Sequence, residues 1–223
     1  MNYLVNDVYD SLQGEGVLTG LPMTILRLHG CAVGCPFCDT RETWAVDAEN
    51  RRNSLADVLG ANPLYCEMSC SEIAHFLRSN YGHIKWVLLT GGEPAQQDLT
   101  GLVNALHDAG FKVALETSGT ATGHMGVPVD WVCVSPKINM PGGLDVLPEV
   151  VNQADEIKFV VGKPADLDKL MELLNRCNLK TGAQVCLQPM STNERATAFC
   201  IQTVMEKGDW RLSLQTHKFM KLR

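Results

Sequence analysis

The sequence predicts an α/β fold, an open, partial TIM-like barrel of about six parallel strands with helices outside. Three observations predict it. Short β-branched or apolar runs recur along the chain, helical patterns stand between several of them, and chemically unusual residues gather at one end of the runs.

The expected strands are 24–29, 85–90, 111–116, 131–135, 156–161, 183–188 and 211–214, each closed by a polar or Gly/Pro turn. Leu99, Leu102, Val103 and Leu106 repeat at helical spacing and stop at Gly110. A second helix is expected over 166–177, and Ala196, Phe199, Cys200, Thr203 and Val204 mark a third that stops at Gly208. Strands alternating with helices pair in parallel through crossovers. Residues 44–70 are polar, carry Arg51 and Arg52 and show no clear period, so they read as a segment inserted over one rim of the barrel mouth, within a single domain spanning 1–223.

The 223 residues suffice for one sizeable core, and 45% hydrophobic with 20% charged residues is ordinary globular composition. A net charge of -6 supplies no general basic surface for phosphate contacts, so a small-molecule substrate is expected rather than direct nucleic-acid binding. No apolar run approaches the roughly 20 residues of a bilayer span, and the first residues lack the pattern of a secretory signal. No membrane association and a cytoplasmic location are expected. Nine cysteines, an odd number, point to reduced thiols and a metal site rather than a disulfide framework.

The segment RLHGCAVGCPFCDT places Cys31, Cys35 and Cys38 at CxxxCxxC spacing directly after the first expected strand, so one loop can wrap a cluster. Thiolates are soft ligands suited to iron–sulfur clusters and to zinc. Three of them leave the fourth iron of a 4Fe-4S cluster open to a cofactor. The competing reading is a structural zinc site with His29 as fourth ligand, or buried free thiols. Cys66 and Cys70 stand at CxxxC spacing, which could mark a second cluster pair, and with no further ligands nearby read instead as neighbours on one helix face. Cys133, Cys177, Cys186 and Cys200 read as core residues. In barrels of this kind chemistry sits at the carboxyl ends of the strands, where Cys31, 90–93, 116–119, 135–137, Gln188 and His217 fall in turn.

With these residues in place the sequence resembles the radical S-adenosylmethionine (SAM) superfamily, whose hallmark is CxxxCxxC after the first barrel strand with an aromatic, here Phe37, before the last cysteine. Gly91, Gly92 and Glu93 look like that superfamily's GGE segment, which receives the amino group of SAM. SLQGEG, CDT, TGGEP, ETSGT, VSPK, LQP and QTHK, in order over nearly the whole chain, are further similar to the 7-carboxy-7-deazaguanine synthase family. That resemblance implies conversion of 6-carboxy-5,6,7,8-tetrahydropterin to 7-carboxy-7-deazaguanine with loss of ammonia, in 7-deazapurine (queuosine) biosynthesis. It also implies an electron from a flavodoxin-like donor, SAM cleaved to a 5'-deoxyadenosyl radical and then regenerated, Mg²⁺ beside the substrate carboxylate, and a homodimer. A glycyl-radical activase shares the cysteine motif but not the SLQGEG and QTHK ends, and a non-catalytic iron–sulfur or zinc carrier would have no use for the GGE segment.

The resemblance assigns roles residue by residue. Cys31, Cys35 and Cys38 hold the cluster. Phe37, Cys38, Asp39, Gly92, Glu93, Glu116, Ser118, Ser135, Pro136, Lys137 and Gln188 bind SAM. Thr40 binds Mg²⁺, a hard oxygen donor for a hard cation, against the alternative of a cap or turn hydroxyl. Leu12, Gln13, Gly14, Glu15, Arg27, Thr90, His217 and Arg223 contact the pterin. Arg27 is expected to point into the barrel and clamp a carboxylate, where strand alternation alone leaves it free to face solvent.

Overall fold

The structure, a computed structural model, describes residues 1–191 and 193–222. The chain begins as β1 (Asn2–Leu12) and turns back as β2 (Pro22–Leu28). Past the cysteine loop come β3 (Arg51–Arg52), β4 (Tyr65–Ser69) and α1 (Cys70–Tyr81). Then follow β5 (Trp86–Gly91), α2 (Thr100–Asp108), β6 (Lys112–Thr117), β7 (Trp131–Val134), α3 (Pro148–Val151), β8 (Glu156–Val161), α4 (Pro164–Leu174), β9 (Gln184–Pro189), α5 (Glu194–Lys207), β10 (Arg211–Leu212) and α6 (Thr216–Met220).

The strands form one sheet in the order β10-β9-β8-β7-β6-β5-β2-β1-β4-β3. From β2 through β5 to β10 all neighbours are parallel, which is the expected open, barrel-like array. β1 is antiparallel to β2 and to β4, and extends the sheet beyond that array.

Period-2 alternation gives the parallel strands two different faces. Leu26, Leu28, Val87, Leu89, Val113, Leu115, Ile157, Phe159 and Leu187 belong to the large core shared with the helices, where Leu102, Leu106, Leu170, Leu173 and Cys200 meet them. The alternate positions Met23, Ile25, Leu88 and Ala114 form a separate small cluster, joined by Tyr9, Leu18, Leu21, Trp86 and Trp131. Further along the same rows stand Arg27, Thr90, Glu116, Ser135, Lys158 and Gln188, all on the wall of a cavity. Two of the longer helices carry side-chain caps for their free N–H groups. Ser69 and Glu72 cap α1 reciprocally, Asn193 accepts from the Ala196 N–H at 2.9 Å, and Gly208 at φ 78° ends α5.

Four expectations change. Cys66 and Cys70 do not share a helix face: Cys66 is buried in β4 and Cys70 opens α1, because Ser69 between them caps the helix. Residues 44–70 are not without strands, since β4 pairs along β1 from Asn2 opposite Ser69 to Val5 opposite Cys66. β1 itself was not among the expected strands. A register shift between Val5 and Asp7 interrupts its alternation, and the Asn6 side chain at that point donates to Asn62 Oδ1 and the Leu64 carbonyl. The helix expected over 166–177 ends at Leu174.

Leu115, fully buried between sheet and helices, sets a test of this core. Leu115→Ala is expected to lower the unfolding free energy by about 2–5 kcal/mol in urea denaturation. Met205→Ala, on the exposed face of α5, is expected to change it by less than about 0.5 kcal/mol.

Candidate active site

The cavity at the carboxyl ends of the strands measures about 480 Å³, and Cys31, Cys35 and Cys38 all line it. Their loop is fixed by its backbone. Cys31 N–H donates to the Trp44 carbonyl at 3.1 Å, Cys38 N–H to the Cys35 carbonyl at 3.1 Å, and Gly142 N–H to the Val33 carbonyl at 3.1 Å. Burial pushes the Cys31 thiol up to about 11, with smaller pushes from Glu93, Cys35 and Cys38. Burial also raises Cys35, against the pull of Lys137 and with a push from Cys38. The three sulfurs therefore lie within reach of one another's charge. Cys38 Sγ accepts the Thr40 N–H at 3.4 Å and the Trp44 indole N–H at 3.4 Å.

Among the described residues, no three His, Cys, Asp or Glu side chains converge as a site for a single ion. A cluster of several irons takes its thiolates on different irons and requires no such point. His29, the alternative fourth zinc ligand, is stacked on Tyr65 at 4.4 Å and places Nε2 2.8 Å from the Ala45 carbonyl.

The GGE segment ties the cluster loop to the sheet. Gly92 N–H donates to the Leu28 carbonyl and Glu93 N–H to the Gly30 carbonyl, both at 2.9 Å. Gly91 has φ 125°, and a Cβ on Gly92 would lie 2.2 Å from the Gly30 carbonyl oxygen, so neither position admits a side chain. The Glu93 carboxylate is buried and accepts from Ala95 N–H at 3.0 Å, Thr117 Oγ1 at 2.7 Å and Ser118 N–H at 2.6 Å. It braces the end of β5 to the end of β6 and spends most of its acceptor capacity within the chain.

The other expected residues converge on the same wall. Leu12, Gln13, Gly14 and Glu15 line it from the β1–β2 loop, Phe37, Asp39 and Thr40 from the cysteine loop, and Arg27, Thr90, Gly92, Glu116, Ser118, Ser135, Lys137, Gln188 and His217 from the strand ends and α6. Arg27 points inward and donates to Tyr9 Oη at 3.0 Å. Lys137 Nζ is held by Ser135 Oγ at 2.6 Å. Gly14 lies so close to His217 that a Cβ there would meet its Nδ1 at 2.2 Å, and the Thr216 N–H donates to the Gly14 carbonyl at 2.8 Å. Pro136 is buried beside Ser135 and does not line the cavity. Arg223 lies outside the described residues.

Sequence reasoning missed Lys158, Glu156, Gln215 and Trp44. Lys158 Nζ donates to Glu15 Oε2 at 2.6 Å and Glu116 Oε1 at 2.9 Å. Burial alone would lower this ammonium, but Glu116, Glu15 and Cys133 outweigh burial and hold it well above its ordinary value. For Glu15 burial works upward, and Lys158, helped by Gln215 and His217, overcomes it and holds the carboxyl at about 2. Burial raises Glu156. A signal existed: Glu156 and Lys158 alternate with Ile157, Phe159 and Val161, marking a polar inner face on an otherwise apolar strand.

No protein-family model matches the chain. It is 39% identical to 7-carboxy-7-deazaguanine synthase of Escherichia coli (strain K12) over 226 residues, covering all of both chains. It is 34% identical over 225 residues to the enzyme of that name from Buchnera aphidicola subsp. Schizaphis graminum, again covering both in full. Among solved structures, the crystal structure of QueE from Escherichia coli matches with a TM-score of 0.89 at 38% identity, covering 97% of this chain and 95% of that one.

The Glu15 carboxyl sits below its ordinary 4.5, so the folded state binds fewer protons than the unfolded one near and below that pH. The stability it contributes is complete above pH 4.5 and is lost as pH falls toward 2. Chemical denaturation of wild type and Glu15→Gln is expected to give a stability gap that is largest above about pH 5 and closes toward about pH 2. An equal stability at pH 7 would contradict this.

Proposed function

The chain belongs to the 7-carboxy-7-deazaguanine synthase family, and we propose that its cavity carries that family's reaction as a radical SAM lyase of 7-deazapurine (queuosine) biosynthesis. The substrate is 6-carboxy-5,6,7,8-tetrahydropterin, the product is 7-carboxy-7-deazaguanine, and ammonia leaves. The observation that supports this reading best is the single cavity wall on which three thiols and the polar ends of successive strands meet.

The residues present fit a 4Fe-4S cluster. Soft sulfur donors share one loop, two N–H groups point at Cys38 Sγ, and the count leaves one iron open. When bound, the cluster and SAM supply the electron and the carbon radical that hydrogen abstraction from the pterin requires.

The chain's own groups bind, orient and exclude water. Gly92, Ser135, Lys137, Ser118 and Gln188 offer backbone and side-chain polar groups on the SAM side, with Phe37 and Asp39 at the rim. The Lys137 ammonium, steered by Ser135, is placed for a carboxylate. Gln13 and Glu15 present an amide and a carboxylate to the pterin's nitrogen edge, while the Arg27 fork, steadied by Tyr9, suits its carboxylate. Thr90 and His217 close the same side. Thr40, whose backbone N–H is taken by Cys38 Sγ, has a hydroxyl for Mg²⁺. We read a flavodoxin-like protein as electron donor, a homodimer as the working form and the cytoplasm as its place. Among the described residues no helix is long and apolar enough to cross a membrane.

Protein reconstituted anaerobically and incubated with SAM, Mg²⁺, dithionite and 6-carboxytetrahydropterin is expected to yield 7-carboxy-7-deazaguanine by mass spectrometry, and Cys35→Ala to yield none. SAM cleavage without that product would sink the substrate, and absence of SAM binding would sink the radical chemistry. Thr40→Ala is expected to raise the Mg²⁺ concentration needed for half-maximal rate by about tenfold, read from a metal titration.

A further inference from the structure

We propose that Lys158 is a positioning residue of this site: its buried ammonium holds Glu15 and Glu116 together as a pair of acceptors for the N–H edge of the bound pterin, a reading that rests on the proposed substrate and that moves Glu116 from the SAM side, where the resemblance alone put it, to the side of Glu15, with which it shares the cation. All three residues line the cavity, but the Lys158 side chain is 3% exposed against 16% for Glu15 and 23% for Glu116, so the carboxylates are the groups more open to a ligand. It acts through them and need not touch the substrate.

One ammonium joins parts of the chain distant in sequence. Glu15 belongs to the β1–β2 loop, Glu116 to β6 and Lys158 to β8. Gln215, just before α6, donates to the remaining oxygen of Glu15 at 2.8 Å, and Gln13 donates to Glu116 Oε1 at 3.1 Å. The loop is pinned again beside this point, where Val17 N–H donates to Glu156 Oε2 at 3.1 Å and Gly16 N–H to Ser213 Oγ at 2.8 Å. A Cβ on Gly16 would lie 2.0 Å from Glu156 Oε1, so the loop lies flat against β8.

The charge count gives the arrangement its use. One cation against two carboxylates leaves a surplus negative charge on a largely desolvated wall, which a ligand can match only by bringing donors. The amino and ring N–H groups of an aminopyrimidinone do so, and a carboxylate retains lone pairs beyond those already engaged. Without Lys158 the two carboxylates would repel, and one would take up a proton. It would then offer a donor where the pterin also offers one. The titratable groups around Lys158 are Glu15, Glu116, Cys133, Glu156 and Cys186, with His217 beyond Glu15. Among them the two paired carboxylates are the ones whose protonation would change what the cavity presents.

The test is Lys158→Met in the reconstituted holoenzyme, with iron content and circular dichroism as controls and pterin kinetics measured from pH 6 to 9. The KM for the pterin is expected to rise about tenfold or more with a smaller change in kcat. An acid limb of kcat/KM is expected to rise from below this range into its lower end. Lys158→Arg, which keeps the charge, is expected to recover part of both. A folded, iron-replete Lys158→Met with unchanged KM and acid limb overturns the proposal. Should Lys158→Met not fold, Lys158→Met/Glu116→Gln is compared with Glu116→Gln alone: a raised KM supports the proposal and an equal KM overturns it. Failure of that double variant to fold also overturns it, because the lysine would then serve the fold. A wild-type enzyme that cleaves SAM but never turns over the pterin instead removes the functional reading on which this one rests.

Discussion

A parallel sheet has two faces to cover, and in this chain protein covers the inner face only part of the way up. Outside, helices bury one set of alternating residues in a large apolar core. Inside, Met23, Ile25, Leu88 and Ala114 fill the lower layer, and the same rows then switch to Arg27, Thr90, Glu116, Lys158 and Gln188. Among the described residues no helix or loop fills the space above the switch, which is the cavity. The position of the site thus follows from where the inner rows stop being apolar.

A half-buried polar layer has to satisfy itself or be satisfied by a ligand. Much of it is satisfied internally: Glu93 by three donors, Gln188 by Ser213, Lys137 by Ser135, and Glu15 and Glu116 by Lys158. Apart from Lys137 with Ser135, which lie in one loop, these pairings run between different strands and loops, and they hold the ends of β5, β6, β8 and β9 together with the β1–β2 loop. The groups that bind are held by groups that only hold, and Lys158 belongs to the second kind.

The parallel strands and the ends that carry chemistry were legible because each strand is a compact apolar run followed by unusual residues. β8 matched its expected span, and the others shifted by a residue or two. The cysteine loop and the polar strand ends were legible for the same reason, the other site residues only through the family resemblance, and among the described residues all of those named except Pro136 line the cavity. β1 was hidden by the irregularity at Asn6, whose side chain reaches Asn62 and Leu64, distant in sequence. β4 was hidden because a short strand in a polar stretch is stabilised by its partner rather than by its own pattern. Lys158 escaped notice because a single charge within an apolar strand resembles a solvent-facing residue until the partner carboxylates are brought to it by the fold.

The segment over the rim has a larger part than a cover. Three thiols within a short loop have no regular structure to fix them, so their spacing must come from neighbours. One neighbour is the turn at Gly142, packed so closely that a Cβ there would meet the Ala32 carbonyl at 1.9 Å. A second is the GGE backbone, bonded to Leu28 and Gly30. The third is the rim itself: Thr43 and Trp44 accept from Gly30 and Cys31, and the Trp44 indole donates to Cys38 Sγ. That rim is anchored in turn, because β4 pairs with β1 and β1 with β2, the strand that launches the cysteine loop. The antiparallel strands thus close a circuit around the thiols, holding the loop from the side where the open barrel has no strand of its own.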